Sequence, residues 1–320
     1  MKRKIFALVL ALCVGAVMMT GCGNSTNPSS SSAGSSSTSS VAAASDELNS
    51  STPIDKDQEI LVVSFGTSYN DSRSETIGAI EDAIAKAYPD YTVQRAFTSQ
   101  TIIDKLSKRD GLHIDNVQEA LDRAADAGVK TLIVQPTHLM NGNEYTDLSN
   151  ELNNYTSKFD NLVLGDPLLT SDSDYESVIK AITSATKEKD DGQTALVFMG
   201  HGTDAASNSD YTTLQQKLND DGFDNYYIGT VEASPSVDDI ISEIGQKGTY
   251  KKIVLEPLMV VAGDHANNDM AGDDSDSWKS KFEAAGYQVE CIIKGLGANK
   301  DIQQIYIQHV QASIDSLSNN

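Results

Sequence analysis

Thr194-Ala-Leu-Val-Phe-Met-Gly-His-Gly-Thr203 is the stretch on which the fold turns. A continuous apolar run enters a Gly-His-Gly-Thr turn, with no polar residue at alternate positions. Such a run describes a strand buried on both faces, as in a parallel sheet covered by helices. Ile60-Leu-Val-Val-Ser-Phe65, closing on Gly66-Thr67, repeats the design far upstream. Working outward from these two, further strands are expected over 92–96, 131–135, 161–164, 226–231, 252–259 and 288–293. Helical spacing falls between them, over about 73–87, 101–108, 117–127, 175–185 and 237–244. The alternation predicts an α/β protein built on parallel sheets flanked by helices.

The two runs also mark an internal repeat. Ser64-Phe65-Gly66-Thr67 and Gly200-His201-Gly202-Thr203 each close a first strand. Gln135-Pro136 precedes Gly142 by the same interval at which Glu256-Pro257 precedes Gly263. In that register His201 stands opposite Phe65 and His265 opposite Glu144, and Phe97-Thr98-Ser99 matches Glu232-Ala233-Ser234 more loosely. Two pseudo-symmetric halves follow, 58–187 and 188–320. Ligands of open α/β sheets bind beyond the carboxyl ends of the strands, which predicts a cleft between the halves.

Five histidines are present. His309, in a terminal helical segment, and His113, after Asp110-Gly111, read as surface residues. His201 and His265 each follow a strand and are enclosed by small residues, and Glu232 ends another strand just before Pro235. Two imidazoles and a carboxylate from three strand ends suit a divalent metal with open positions. By spacing alone they suit satisfied structural residues equally well. Asp264 or Asp269 is placed to orient a ligating histidine. Arg95 is a candidate for substrate carboxylates, with an inter-element salt bridge as the alternative. His138 and Glu144 belong to the matching element of the first half, are expected on the opposite rim and are candidates for binding substrate, with a positional or structural role for His138 as the alternative. Asp273-Asp-Ser-Asp276 reads as a helix N-terminal cap before Trp278. Cys291 reads as a small core residue.

The N-terminus sets a different expectation. Met1-Lys-Arg-Lys4 leads an apolar run over 5–19 that ends in Met19-Thr20-Gly21-Cys22. This is the layout of a signal peptide, too short to span a membrane comfortably, and its end resembles a lipoprotein cleavage box with Cys22 lipidated. A plain secretory signal that happens to hold a cysteine is the alternative. Residues 23–57 are rich in Ser, Ala, Thr and Asn and read as a disordered tether. The expected location is therefore extracytoplasmic, with the membrane reached only through the anchor.

Charge narrows the partners. The 320 residues carry 24 Lys and Arg against 46 Asp and Glu, a formal −22. Lys2, Arg3, Lys4 and Lys56 balance Asp46, Glu47, Asp55 and Asp57, so the excess belongs to the body from residue 58. Such acidity excludes nucleic acid, which requires clustered cations, and makes anionic membrane surfaces poor partners. It suits divalent cations. Composition is otherwise ordinary for a globular protein, with 39% hydrophobic and 22% charged residues. Three cysteines, Cys13, Cys22 and Cys291, supply no disulfide framework.

Gly200-His-Gly-Thr203, Gly229-Thr-Val-Glu232 and the long stretch from Val261-Ala-Gly-Asp-His-Ala-Asn-Asn-Asp-Met270 to Trp278-Lys279 closely resemble the CbiK-type anaerobic cobaltochelatases. Ser64-Phe-Gly-Thr-Ser68, Arg95-Ala-Phe-Thr-Ser99 and Gln135-Pro-Thr-His-Leu-Met-Asn-Gly-Asn-Glu-Tyr145 extend the resemblance over roughly 58–315. It implies a class II chelatase, two α/β halves around a tetrapyrrole cleft, and ATP-independent insertion of Co²⁺ into sirohydrochlorin. It implies His201, Glu232 and His265 as metal ligands, with His201 also the base. No cofactor beyond the substrate metal is implied; Ni²⁺ and Fe²⁺ stay open as alternatives to Co²⁺, and a homo-oligomer is compatible. Where such chelatases commonly continue Val-Glu-Gly and then an aromatic residue, this chain has Val231-Glu-Ala-Ser-Pro235. With the export signal, that departure supports a second reading: a non-catalytic lipoprotein that binds a tetrapyrrole, haem or a metal for uptake.

Overall fold

In the computed structural model of this chain, which describes residues 48–318, β1 (Gln58–Ser64) forms the middle of a sheet because it is buried from Glu59 on and Ile60, Leu61, Val62 and Val63 give it a continuous apolar run. The strand's two-residue period divides them: Ile60 and Val62 join one core cluster, Leu61 and Val63 another on the opposite face. After β1 the first half continues through α1 (Asn70–Arg73), a π-helical turn over Ser74–Gly78, and α2 (Ala79–Ala87). It goes on through β2 (Thr92–Phe97), α3 (Gln100–Asp110), the short β3 (Asp115–Asn116), α4 (Val117–Asp126) and β4 (Thr131–Pro136). It then closes with α5 (Asn143–Leu152), β5 (Asn161–Leu164) and α6 (Asp172–Thr186). Its five strands pair in parallel in the order β3-β2-β1-β4-β5.

The second half contains β6 (Thr194–Gly200), α7 (Ser209–Asp220), β7 (Tyr226–Thr230), α8 (Val237–Lys247) and β8 (Lys252–Pro257). A π-helical turn (Ala266–Met270), α9 (Trp278–Ala284), β9 (Gln288–Cys291) and α10 (Lys300–Leu317) follow. Its four strands are again parallel, in the order β7-β6-β8-β9. The expected strands all form; several stop a residue or two early, β8 at Pro257, which has no N–H for the ladder. Capping boxes start α4 at Asn116 with Glu119, α6 at Ser171 with Asp174, and α8 at Ser236 with Asp239. The cap of α9 is Ser277, whose hydroxyl accepts from the Ser280 N–H at 3.1 Å, rather than the acidic run 273–276.

Three expectations are corrected. Helix α10 lies in the second half by sequence but packs on α2, α6 and β4 of the first. Tyr306 there donates to the Thr137 carbonyl at 2.9 Å. His309 is accordingly no surface residue: it is buried, with Nε2 2.9 Å from Asp174 Oδ1 and Nδ1 3.1 Å from the Asp166 carbonyl. The stretch 48–57, assigned to the tether, lies on the body. Leu48 and Ile54 pack against two core clusters, and the Thr52 and Pro53 carbonyls accept from Gln94. These apolar contacts and hydrogen bonds dock it. The signal segment, Cys22 and the remainder of the tether lie outside the described residues.

Candidate metal centre

His201 is the first residue after β6, and its position is set by backbone constraints on either side. Gly202 has φ +88°, and a Cβ there would lie 2.8 Å from the Ala233 nitrogen and 2.9 Å from its Cβ. Only glycine lets the two loops approach this closely. The Glu232 N–H donates to the His201 carbonyl at 2.8 Å and the Val231 N–H to that of Gly200 at 3.0 Å, so the β6 and β7 tips are tied ligand to ligand. Asn208 braces the pair, accepting from the Thr203 N–H and donating to the Ser234 carbonyl. Tyr211 OH accepts from the Gly202 N–H at 3.2 Å, and burial pushes that phenol up. Neither Asn208 nor Tyr211 carries a local sequence signal, since both act through distant loops.

His265 arrives from the loop after β8 and opens the π-helical turn. That turn sets Asp269 one turn on, with Oδ2 2.7 Å from His265 Nδ1. His201 Nδ1 lies 2.7 Å from the Gly202 carbonyl. A carbonyl and a carboxylate only accept, so each ring uses Nδ1–H as donor and keeps the Nε2 lone pair for another partner. The rings sit edge to face, centroids 4.8 Å apart and planes at 78°. Ligand atoms of His201, Glu232 and His265 all lie within 4.8 Å of one another. With metal–ligand bonds of about 2.1 Å, the set closes on a divalent ion through a contraction of less than about an ångström. His201 and Glu232 are exposed and His265 half-buried, so the open positions face solvent. Of the two aspartates proposed to orient a histidine, Asp269 does so. Asp264 instead accepts from Tyr69 OH at 3.3 Å and from Asn268.

The Tyr69–Asp264 contact joins the first half to the metal loop, and others flank it. The Ala262 N–H donates to Ser72 Oγ at 2.9 Å, and Asn143 Nδ2 donates to Asp204 at 2.8 Å. The loops beyond the strand ends of both sheets therefore meet around the triad. Burial together with Asp264 pushes the Tyr69 phenol up. Beside it, Ser68, Tyr69, Asn70, Asp71, Lys105 and Arg109 line a cavity of about 440 Å³. Arg109 donates to Asn70 Oδ1 and to Asp110. Lys105 and Arg109 carry no sequence signal of their own, since helical spacing alone does not mark which face of α3 lines a cavity.

Of the remaining candidates, His138 and Glu144 do come together, His138 Nε2 3.3 Å from Glu144 Oε2. The imidazole is buried, and neither of its nitrogens makes an aligned hydrogen bond. Arg95 is overturned as a substrate residue. It is buried, donating from Nε to Glu81 Oε1 at 2.8 Å and from Nη2 to Oε2 at 2.5 Å. The pleat of β2 turns it under α2, where it clamps helix to strand. Cys291 packs half-buried at the edge of the second sheet's core, and burial raises its thiol.

Residues 58–315 match the family described as cobalt chelatase (CbiK). A sirohydrochlorin cobaltochelatase of Salmonella typhimurium is 39% identical over 256 residues, covering 80% of this chain and 96% of that protein. The sirohydrochlorin cobaltochelatase CbiKC of Nitratidesulfovibrio vulgaris is 30% identical over 260 residues, covering 81% and 91%. Among solved structures, SirB from Bacillus subtilis with Fe³⁺ superposes with a TM-score of 0.59 at 16% identity, over 82% of this chain and 97% of that one. That likeness establishes the fold, two parallel α/β sheets of the chelatase type. The chain belongs to the CbiK family of cobalt chelatases.

Proposed function

We propose that this chain inserts Co²⁺ into sirohydrochlorin, for cobalamin biosynthesis, as a lipid-anchored protein outside the cytoplasm. The observation that carries the chemistry is the triad: two imidazoles with Nδ1 committed and Nε2 available, and a carboxylate, from three loops within 4.8 Å. The relatives bearing the name sirohydrochlorin cobaltochelatase support both the metal and the macrocycle. Export rests on the N-terminal signal ending at Cys22.

Insertion breaks two pyrrole N–H bonds, forms metal–nitrogen bonds and releases two protons. His201, Glu232 and His265 hold the incoming Co²⁺ through few, partly exposed ligands, so the ion leaves readily for the macrocycle nitrogens. Glu232 offsets part of the metal charge. His201, freed as the ion moves, accepts a proton at Nε2 and passes it to solvent. Lys105 supplies a cation at the neighbouring cavity for a polycarboxylate substrate, while Arg109 beside it is already paired with Asp110.

Purified protein mixed with sirohydrochlorin and Co²⁺ is expected to accelerate the absorbance change of insertion, more with Co²⁺ than with Ni²⁺ or Fe²⁺. His201→Ala and His265→Ala are each expected to abolish it. Tight macrocycle binding without any acceleration would make the protein a carrier and sink the enzyme reading. For the anchor, metabolic labelling with an alkyne fatty acid is expected to mark the wild type and not Cys22→Ser.

A further inference from the structure

Two large apolar side chains stand strongly exposed among the described residues, Phe65 and Ile293, each at 47%. Ile293 follows the edge strand β9. Phe65 is different, because it follows β1, whose residues from Glu59 to Ser64 are all buried. The backbone turns sharply just beyond it. Gly66 has φ +97°, and a Cβ there would lie 2.5 Å from the Phe97 ring. Phe97 therefore fills the core beneath the turn, and Phe65 is left outside it. Ser99 N–H donates to the Phe65 carbonyl at 3.3 Å and holds the turn in place.

The location gives this exposure a use. Phe65 is the first residue after β1, and His201 is the first residue after β6, each strand lying inside its sheet. The internal repeat thus sets an aromatic ring on one half where the other half carries a metal ligand. Two residues on, Thr67 Oγ1 lies 3.4 Å from the point where Gly263 would carry a Cβ, and Tyr69 binds Asp264. The Phe65 turn therefore abuts the loop that carries His265. A flat conjugated ligand reaching the triad has a second face, and an apolar ring there removes both surfaces from water and packs face against face.

We propose that Phe65 packs on the macrocycle face turned away from the metal triad and sets macrocycle affinity, an inference that rests on the tetrapyrrole reading above. Phe65→Ala is expected to raise KM for sirohydrochlorin about tenfold, the equivalent of burying one large apolar side chain. Its kcat and its Co²⁺ affinity, read from cobalt d–d absorbance without macrocycle, are expected to stay within about twofold. Phe65→Tyr, which keeps the ring, is expected to restore KM. A thermal melt checks folding of Phe65→Ala, and Phe65→Leu provides a second apolar truncation. Unchanged KM in folded Phe65→Ala and Phe65→Leu would overturn the proposal, as would a change of oligomeric state by size exclusion with KM intact. Macrocycle binding without metal, followed by absorbance, separates the two readings. A wild type that binds sirohydrochlorin but inserts no cobalt defeats the enzyme reading, while weaker binding by Phe65→Ala in the same titration still supports Phe65.

Discussion

At the scale of single residues, the metal site depends on what occupies each Nδ1. Asp269 accepts from His265, which fixes the tautomer and makes Nε2 the better donor to a metal. Asp269→Ala is expected to weaken Co²⁺ binding by about ten- to a hundredfold while leaving the fold intact, measured by titration calorimetry of the unloaded protein. Wild-type affinity in that variant would show that the carboxylate does not support the ligand. His201 has a backbone carbonyl in the same role, one that no side-chain substitution removes. His201, Glu232 and His265 were readable as candidates because each follows a strand among small residues. That they share one ion-sized space was not readable, because it depends on three loops meeting. Arg95 went the other way: its charge suggested a ligand, but one turn of the β2 pleat puts it under α2 with Glu81.

Elements show why that reversal has a physical cost. The Arg95–Glu81 pair is almost wholly removed from water, with side chains 1% and 3% exposed, and it ties β2 to α2. Removing one partner strands a buried charge. Arg95→Ala is expected to destabilise the protein by about 3–5 kcal/mol in urea denaturation. Insertion by the folded fraction should be unchanged, whereas a direct role in substrate binding would raise KM. Helix starts were more legible, since Ser236 with Asp239 and Ser171 with Asp174 form local boxes that need no partner from elsewhere. The packing of α10 was not. Its amphipathic face identifies a helix, but only the tertiary contacts show that it covers α2, α6 and β4 of the first half.

For the whole molecule, that crossing merges the halves. One core cluster holds Ile60, Val62 and Val178 of the first half with Leu196, Phe198 and Val254 of the second, and Tyr306 and Val310 of α10. Unfolding is therefore expected to be a single transition. Fluorescence of Trp278, the sole tryptophan and set in the second half, should coincide with far-UV circular dichroism. Separated midpoints would show that the halves melt independently. The pH dependence follows from two carboxyls, buried Glu59 raised to about 8 and half-buried Glu256 raised to about 7, in both cases chiefly by desolvation. Each holds a proton in the folded state that the unfolded chain has released, so stability falls as pH rises from about 5 through 8. Asp57, Asp110, Asp174, Asp239 and Glu290 are lowered instead, mostly by hydrogen bonds and cations, and their stabilisation is lost as pH falls below about 4. Maximal stability is expected in mildly acidic buffer, and Glu59→Gln should flatten the decline between pH 5 and 8 in denaturant titrations.

The amino-acid sequence by itself determined the α/β class, the strand positions, the repeat and the three metal-ligand candidates. Those properties rest on local periodicity and on residues adjacent in the chain. Only the tertiary structure decided that Arg95 is a clamp, that Lys105 and Arg109 line the cavity beside the metal loop, that residues 48–57 dock, and that α10 closes the opposite half. Each of these depends on which surfaces meet across long separations. Charge and amphipathicity reveal that a side chain or a helix face needs a partner, and folding selects which one it finds.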